Sequence, residues 1–202
     1  MTQRHPDPAG DSNGAVTRAM LESRFRDPAC PHGALHLAAM AELSSEPLAG
    51  KHVLDYNSGT AEFGIWMATE FAEVHLLDAS PANIALGLER AQASGVARRV
   101  KAIHLTNSAD LDMFADSAFD LVFTRTPLAT IASTPGALNE IARILKPGAR
   151  LVVAHHAPAA GAIQSALERH FAEITLQPLA ARRGLLARLV PSPSPAITTA
   201  RK

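Results

Sequence analysis

Two acids and a glycine-containing turn carry the clearest candidate chemistry of this sequence. Asp55 lies at the end of the apolar run "HVLDY", and the turn "NSGTA" follows it with Gly59 at its centre. Asp78 follows a second apolar run, "EVHLL", and lies 19 residues beyond Gly59. An acid at about that distance binds ribose hydroxyls in nucleotide-binding sheets, because a carboxylate accepts from two neighbouring hydroxyls. An Asp before a helix also stabilises that helix by itself, so capping is the alternative role for Asp78.

Histidines are the other candidates for chemistry. His155 ends the run "RLVVAH" and His156 follows it, at a strand end where an imidazole could take a proton from a hydroxyl, an amine or a carbon acid. Side chains alternate along a strand, so only one of the pair should face a site there, and a surface position is the alternative role. Cys30, His32 and His36 have a metal-like spacing but offer only three ligands. An ordinary polar segment explains them better, and we expect no metal site.

Short β-branched runs alternate with helical patterns through most of the chain. The strand-like runs are "HVLDY", "EVHLL", "VKAIHL", "FDLVFT" and "RLVVAH". Ser80-Pro81 and Thr134-Pro135 are each typical of a helix start, with an N-cap followed by proline. Strands that alternate with helices predict right-handed βαβ units and a mostly parallel sheet. Both candidate acids would then lie at the carboxyl edge of that sheet, where ligands bind.

The two ends of the chain depart from this alternation. The runs "EITLQPLA" and "GLLARLVP" are separated by a short connection, so we expect them to pair antiparallel at the sheet edge. Residues 15–46 contain two helical patterns, which we expect to form a cap over the rim of the sheet. Residues 1–14 and 191–202 are rich in residues that cannot pack, which predicts a disordered and a flexible tail around a domain at 47–190.

Composition excludes several classes of function. The 202 residues carry 19 Lys and Arg against 19 Asp and Glu, so charge gives no case for nucleic acid or an anionic membrane as a partner. The single cysteine excludes an internal disulfide and fits a reducing compartment. No apolar run reaches the ~18 residues of a membrane span, and no apolar signal core begins the chain. We expect a cytoplasmic protein with a small-molecule substrate, and leave homodimerisation open.

The second half of the chain resembles a known family. "SADLDMFADSAFDLVF" and "LNEIARILKPGARLVV" are similar to "DAEDLPFPDGSFDLVxS" and "LxEIxRVLKPGGRLVV" of the class I S-adenosylmethionine-dependent methyltransferases. "VLDYNSGTA" then resembles the family's first motif, "VLDLGCGTG", and "VHLLDASPANI" resembles its second. The resemblance extends over roughly residues 48–190. It implies S-adenosylmethionine as cofactor and a three-layer α/β sandwich, whose seven-stranded, mostly parallel sheet has the order 3-2-1-4-5-7-6 with the last strand antiparallel.

The resemblance also implies roles for individual residues. Asp55 would lie near the methionyl amine, Asp78 would hold the ribose, and Arg125 would face the methyl-transfer site. The implied cofactor-binding residues are Asp55, Asn57, Ser58, Gly59, Ala61, Asp78, Ala79 beside the adenine, Ser108 and Ala109 at the adenine amino group, and Thr124 at the methionyl part. The candidates at the methyl-transfer site are Arg125, His155 and His156.

Three positions depart from the family pattern. The first and third glycines of the family's first motif are Asn57 and Ala61 here, and an adenine-side Asp is Ser108. Asn tolerates a positive φ better than other non-glycine residues, so Asn57 is expected to keep the turn. The methyl group of Ala61 is expected to crowd or tilt the ligand where backbone should approach it. Each change weakens the expected cofactor site without abolishing it.

Three functions are compatible with these features. The first is a methyltransferase acting on a small molecule, with specialised metabolism as its setting. The second is a repurposed member of the family that serves as a binding module or partner subunit. An NAD(P)-dependent enzyme is disfavoured, because "FDLVF" and "LKPG" are not typical of that group. "RTPL" at Arg125 lacks the Asn/Asp-Pro-Pro-aromatic signature of nucleobase and glutamine N-methyltransferases, which argues against nucleic-acid and translation-factor substrates.

Overall fold

The computed structural model describes residues 14–105, 111–157, 161–179 and 194–202 of the chain. Its strands are β1 (His52–Tyr56), β2 (Glu73–Asp78), β3 (Val100–His104), β4 (Phe119–Thr124), β5 (Leu145–Ala157), β6 (Glu173–Pro178) and β7 (Ser194–Arg201). They form one seven-stranded sheet in the order β3-β2-β1-β4-β5-β7-β6. The first five strands are parallel, and β7 is antiparallel to both β5 and β6. The fold class that the resemblance implies is therefore confirmed.

Helices cover both faces of the sheet. They are α1 (Arg18–Arg26), α2 (Gly33–Leu43), α3 (Glu62–Thr69), α4 (Pro81–Ala93), α5 (Leu128–Ser133), α6 (Ala137–Ile144) and α7 (Gly161–Leu167) within the described residues. Helices α1 to α4 contribute to one hydrophobic cluster, and α5 to α7 to the other. Neighbouring strand residues face opposite clusters, as Val53 and Leu54 do in β1. Strands buried on both faces need consecutive apolar residues, which explains the unbroken apolar runs of the sequence.

One of the two predicted helix starts is confirmed. Helix α4 begins at Pro81, and the Ser80 hydroxyl accepts a hydrogen bond from the Asn83 amide. The prediction for Thr134-Pro135 was wrong, because α6 begins later, after Gly136 at a φ of 79°. The short helix α5 ends just before Thr134, whose hydroxyl donates back to the carbonyl of Thr130, and the residue at the N-cap of α6 is Gly136.

The N-terminal helices lie mainly on a face of the sheet, which corrects the expected position over its rim. Helix α2 packs on β5 and β7. The buried side chain of Arg150 in β5 donates to Glu42 at 3.1 Å and to Ser45 at 2.8 Å, at the end of α2. The opposite end of α2 reaches the carboxyl edge of the sheet, where His32 contacts His156. Of helix α2, the first turn is therefore the part that lies nearest the expected site.

Most of the segment predicted as a flexible tail, from Ser194 onward, forms an interior strand instead. Ser194–Arg201 is strand β7, and Ile197 within it is 1% exposed. Arg201 donates to Glu46 at 2.7 Å, and the Lys202 ammonium donates to the Leu145 carbonyl at 2.7 Å. The β-branched run "ITT" carried a strand signal, and Pro195 is tolerated because it lies near the strand start. The strand predicted at "GLLARLVP" lies outside the described residues.

No helix among the described residues combines the length and apolar character needed to cross a membrane.

The position of β7 predicts a large stability cost for a substitution inside it. Ile197→Ala should lower the free energy of unfolding by about 2–5 kcal/mol, because it deletes a buried side chain between two strands. Leu176→Ala in the neighbouring β6 is the matched control, since that side chain is 41% exposed and should cost about 1 kcal/mol or less. Urea unfolding measures both. An Ile197→Ala variant as stable as the wild type would restore the flexible-tail interpretation.

Candidate active site

The turn after β1 keeps the backbone of a glycine-rich loop although two of its glycines are replaced. Asn57, Gly59 and Ala61 have φ values of 55°, 57° and 61°, so all three are left-handed. The Asn57 amide group donates to the Thr126 hydroxyl at 2.9 Å, which ties the turn to the end of β4. The expectation that Asn57 keeps the turn is confirmed, and its side chain also holds the neighbouring loop.

Ala61 does not crowd the ligand in the way that its sequence position suggested. The residue is fully buried at the start of α3, and its Cβ would lie 3.1 Å from a Cβ added to Gly87 in α4. The methyl group therefore points toward α4 and fills the core. The left-handed conformation of an alanine destabilises the fold by about 1–2 kcal/mol, and burial of its methyl group offsets about 0.8 kcal/mol of this.

Asp55 is buried beneath the start of α3. It is 2% exposed, and its Oδ2 accepts a hydrogen bond from the Gly64 amide at 3.0 Å. A Cβ on Gly64 would lie 2.9 Å from that oxygen and 2.3 Å from Leu76 Cδ2, so the close approach requires glycine. Burial raises the pKa of Asp55 to about 7, against the opposing effects of Arg125 and the Gly64 amide. The carboxyl therefore changes charge near neutral pH, where a ligand cation beside it would favour ionisation.

Asp78 connects the turn to the next helix. Its Oδ2 accepts from the Gly59 amide at 2.7 Å, and its Oδ1 accepts from the Ser80 amide at 2.8 Å and the Asn83 side chain at 3.0 Å. The helix-start role considered as an alternative is therefore real. A carboxylate has about four acceptor positions, so the three donors found among the described residues leave one position, on Oδ2, for a ligand hydroxyl.

Two residues at the end of β4 have different roles. The Thr124 side chain is fully buried, and its hydroxyl oxygen accepts from the Thr126 amide at 3.0 Å, so it holds the turn. Arg125 crosses the glycine turn. Its Nη2 donates to the Ser58 carbonyl at 3.2 Å and lies 3.1 Å from the place a Cβ on Gly59 would take. Its guanidinium carbon is 5.5 Å from the ring centre of Phe63.

The histidine pair at the end of β5 divides between the two faces of the sheet. His156 Nε2 lies 2.8 Å from Nδ1 of His32 in the N-terminal segment. His155 is 3% exposed, and its Nε2 lies 2.9 Å from the Thr198 hydroxyl, while burial lowers its pKa. The expectation that only one of the pair faces the site is consistent with this arrangement. His156 is the histidine that contacts the N-terminal cap, through His32.

Sequence reasoning missed Glu62, the first residue of α3. It is 7% exposed and forms ion pairs with Arg24 of α1 and Arg90 of α4. Arg90 also donates to the carbonyl of Thr60, so the network fastens two helices to the turn. The available signal was an acid at the start of a helix, directly after the glycine turn.

The remaining predicted residues are less informative. Ala79 is exposed, and its carbonyl lies 3.0 Å from His104 Nε2. Ser108 and Ala109 lie outside the described residues. No cluster of three or more potential metal ligands occurs in the described part of the chain.

Comparison with known proteins assigns this chain to a family. Residues 47–182 match the model of the methyltransferase domain family, and the chain belongs to that family. It is 38% identical over 109 residues to a demethylmenaquinone methyltransferase of Lactiplantibacillus plantarum, covering 50% of this chain and 43% of the relative. It is 35% identical over 118 residues to the O-methyltransferase resE of Aspergillus sclerotiorum, covering 56% and 42%. The chain thus spans less than half the length of these curated relatives.

Solved structures share the fold. The [4+2]-cyclase SpnF has a TM-score of 0.68 at 20% identity, with 85% of this chain and 81% of that chain covered. A SAM-dependent methyltransferase from Aquifex aeolicus has a TM-score of 0.63 at 13% identity, with 89% and 97% covered. At these identities the likeness shows the fold alone.

The residues present fit S-adenosylmethionine, the cofactor that the family assignment supports. Asp78 keeps one acceptor position for a ribose hydroxyl beside the Gly59 amide. Gly59 has no Cβ, so a ligand can approach the backbone of the turn closely. The buried Asp55 carboxyl lies under the same turn and can balance a ligand cation.

Asp55→Asn should remove a pH-dependent loss of stability. In the unfolded chain the carboxyl ionises near pH ~3.9, whereas the folded carboxyl keeps its proton to about pH 7. The folded state therefore binds more protons between these values, and wild-type stability falls as pH rises through that window. The difference of about three pKa units limits this loss of stability to about 4 kcal/mol.

The asparagine stays neutral and can still accept from the Gly64 amide. The stability of Asp55→Asn relative to the wild type should therefore rise from pH 4 to pH 7 and then level off. Urea unfolding of both proteins across this range gives the difference directly. A difference that does not change with pH would contradict the buried, neutral carboxyl.

Proposed function

We propose that this protein is an S-adenosylmethionine-dependent methyltransferase that acts on a small molecule, with specialised metabolism as its setting. The observation that carries the proposal is the bond from the Gly59 amide to Asp78 across a turn with three left-handed residues. This arrangement joins the two strand ends at which the family binds its cofactor. Membership of the methyltransferase domain family supports the reaction type.

The chain's own residues would hold the cofactor and exclude water. Asp78 would accept from the ribose, Asp55 would lie beneath the methionyl amine, and Ala79 would lie beside the adenine. When bound, S-adenosylmethionine supplies an electrophilic methyl group on a sulfonium. The protein's contribution is then alignment of the acceptor, so no fixed catalytic triad is required.

His156 is the residue we assign to proton removal from the acceptor. It lies at the carboxyl edge of the sheet, and its Nε2 lies 2.8 Å from His32 Nδ1. When Nε2 carries the proton and donates it to His32 Nδ1, the Nδ1 atom of His156 is unprotonated and would take the proton from the acceptor. This bond fixes the orientation of the His156 ring and makes His32 a positioning residue. His155 has no such role, because it is buried on the other face against Thr198.

A repurposed, non-catalytic protein is the second candidate, and the place of Arg125 favours it. The guanidinium lies across the turn, where the methionyl part of the cofactor is expected. A cation there opposes a sulfonium and an ammonium. The fold is also compatible with other chemistry, since the similar structure SpnF is a [4+2]-cyclase.

Binding of S-adenosylhomocysteine separates these two candidates. The wild-type protein should bind it in isothermal titration, and Asp78→Asn should weaken binding by about 10–100-fold, the usual effect of losing a hydrogen bond to a charged group. Asn83→Ala is the matched control, because it removes a donor to Asp78 Oδ1 and leaves Oδ2 unchanged. It should change affinity by less than about threefold. No heat and no thermal shift with the wild type at millimolar ligand would favour the repurposed protein.

His156→Asn should slow methyl transfer without weakening cofactor binding. Turnover with a panel of phenols and hydroquinones, followed as S-adenosylhomocysteine release, should fall by about 100-fold or more. His32→Asn tests the positioning role, since asparagine tolerates the left-handed φ of 60° at that residue. It should give a smaller loss, whereas His155→Asn should lower thermal stability and leave turnover intact. Wild-type turnover in His156→Asn would exclude this histidine as the base.

A further inference from the structure

Arg125, at the centre of the candidate site, has no ion-pair partner among the described residues. Of the five N–H donors of its guanidinium, the Ser58 carbonyl accepts one, at 3.2 Å. No carboxylate among the described residues lies within ion-pair distance of it. The side chain is nevertheless held in place, because the guanidinium carbon lies 5.5 Å from the ring centre of Phe63.

The two nearest acids are engaged elsewhere. Glu62 pairs with Arg24 and Arg90, so its carboxylate is already shared between two guanidinium groups. Asp55 accepts from the Gly64 amide, and burial raises its pKa to about 7, so its negative charge is incomplete at neutral pH. Within the described part of the chain, Arg125 therefore lacks the full counter-charge that a partly buried guanidinium normally has.

The cap places His36 beside Phe63, the ring over which Arg125 lies. The His36 ring lies 5.8 Å from the Phe63 ring, and burial, followed by the charge of Arg125, lowers the pKa of His36 to about 4. His36 is therefore neutral at pH 7 and does not compete as a cation. Its buried Nδ1 has no hydrogen-bond partner among the described residues.

We propose that Arg125 binds a ligand carboxylate in this site. A guanidinium with free edges accommodates a planar carboxylate through two parallel hydrogen bonds, and the face of Phe63 sets its plane. The carboxylate comes from the methionyl part of the cofactor or from the methyl acceptor, and the assignment to these two sources rests on the proposed function. Arg125 is thereby a specificity-determining residue, since a ligand without the acid leaves its charge unpaired.

The first arm of the test compares two nucleosides by isothermal titration. S-adenosylhomocysteine carries the carboxylate, and 5′-methylthioadenosine has the same adenosine and thioether without the amino acid. If the cofactor supplies the carboxylate, Arg125→Gln should weaken S-adenosylhomocysteine about 10–100-fold and change 5′-methylthioadenosine less than about twofold. Arg98→Gln, near the amino ends of the strands, is the control for net charge and should change neither.

The second arm tests the acceptor as the source. Benzoate and benzamide are titrated into the wild type, with and without S-adenosylhomocysteine, and into Arg125→Gln. A preference for benzoate that disappears in Arg125→Gln, while nucleoside affinity is unchanged, identifies the acceptor carboxylate. The inference is overturned if Arg125→Gln weakens the binding of both nucleosides equally. It is also overturned if Arg125→Gln changes neither the nucleoside affinities nor the preference for benzoate over benzamide. A wild type that binds benzoate through Arg125 but no nucleoside would reject the proposed function and retain the carboxylate site.

Discussion

The hydrogen bond from the Gly59 amide to Asp78 is the constraint on which the candidate site depends. It joins the turn after β1 to the end of β2 at 2.7 Å. The same carboxylate accepts from the Ser80 amide, so one acid sets both the turn and the start of α4. A charge-assisted bond of this kind is stronger than a neutral one. Loss of Asp78 would therefore disturb the shape of the turn as well as remove a ligand contact.

The left-handed residues of the turn follow from this constraint. To bring the Gly59 amide to Asp78, the chain turns sharply after β1, and three residues within the turn take positive φ. Glycine takes this conformation without strain, whereas the same conformation is strained in Asn57 and Ala61. Asn57 gains a bond to Thr126, and Ala61 packs against α4. The substituted turn thus keeps its backbone through contacts that glycine could not make.

The sequence predicted the sheet and the two acids because those features depend on local patterns. Apolar runs located β1 to β5, and the spacing from Gly59 to Asp78 predicted that both residues lie at one ligand-binding edge, although the bond between them was not foreseen. The strand β7 was missed, since prolines at 191–195 resemble a tail and its burial depends on distant partners. The orientation of Arg125 across the turn and the contact of His32 with His156 also depend on tertiary packing, which residue types alone do not reveal. Cytoplasmic location and homodimerisation stay predictions.

A crystal structure of the complex with S-adenosylhomocysteine tests the central claim most directly. We expect a ribose hydroxyl within hydrogen-bond distance of Asp78 Oδ2, with positive φ retained at Asn57, Gly59 and Ala61. The bond from the Gly59 amide should persist beside the new one. A ligand bound elsewhere, or a turn that must abandon its left-handed residues to admit the ribose, would contradict the account.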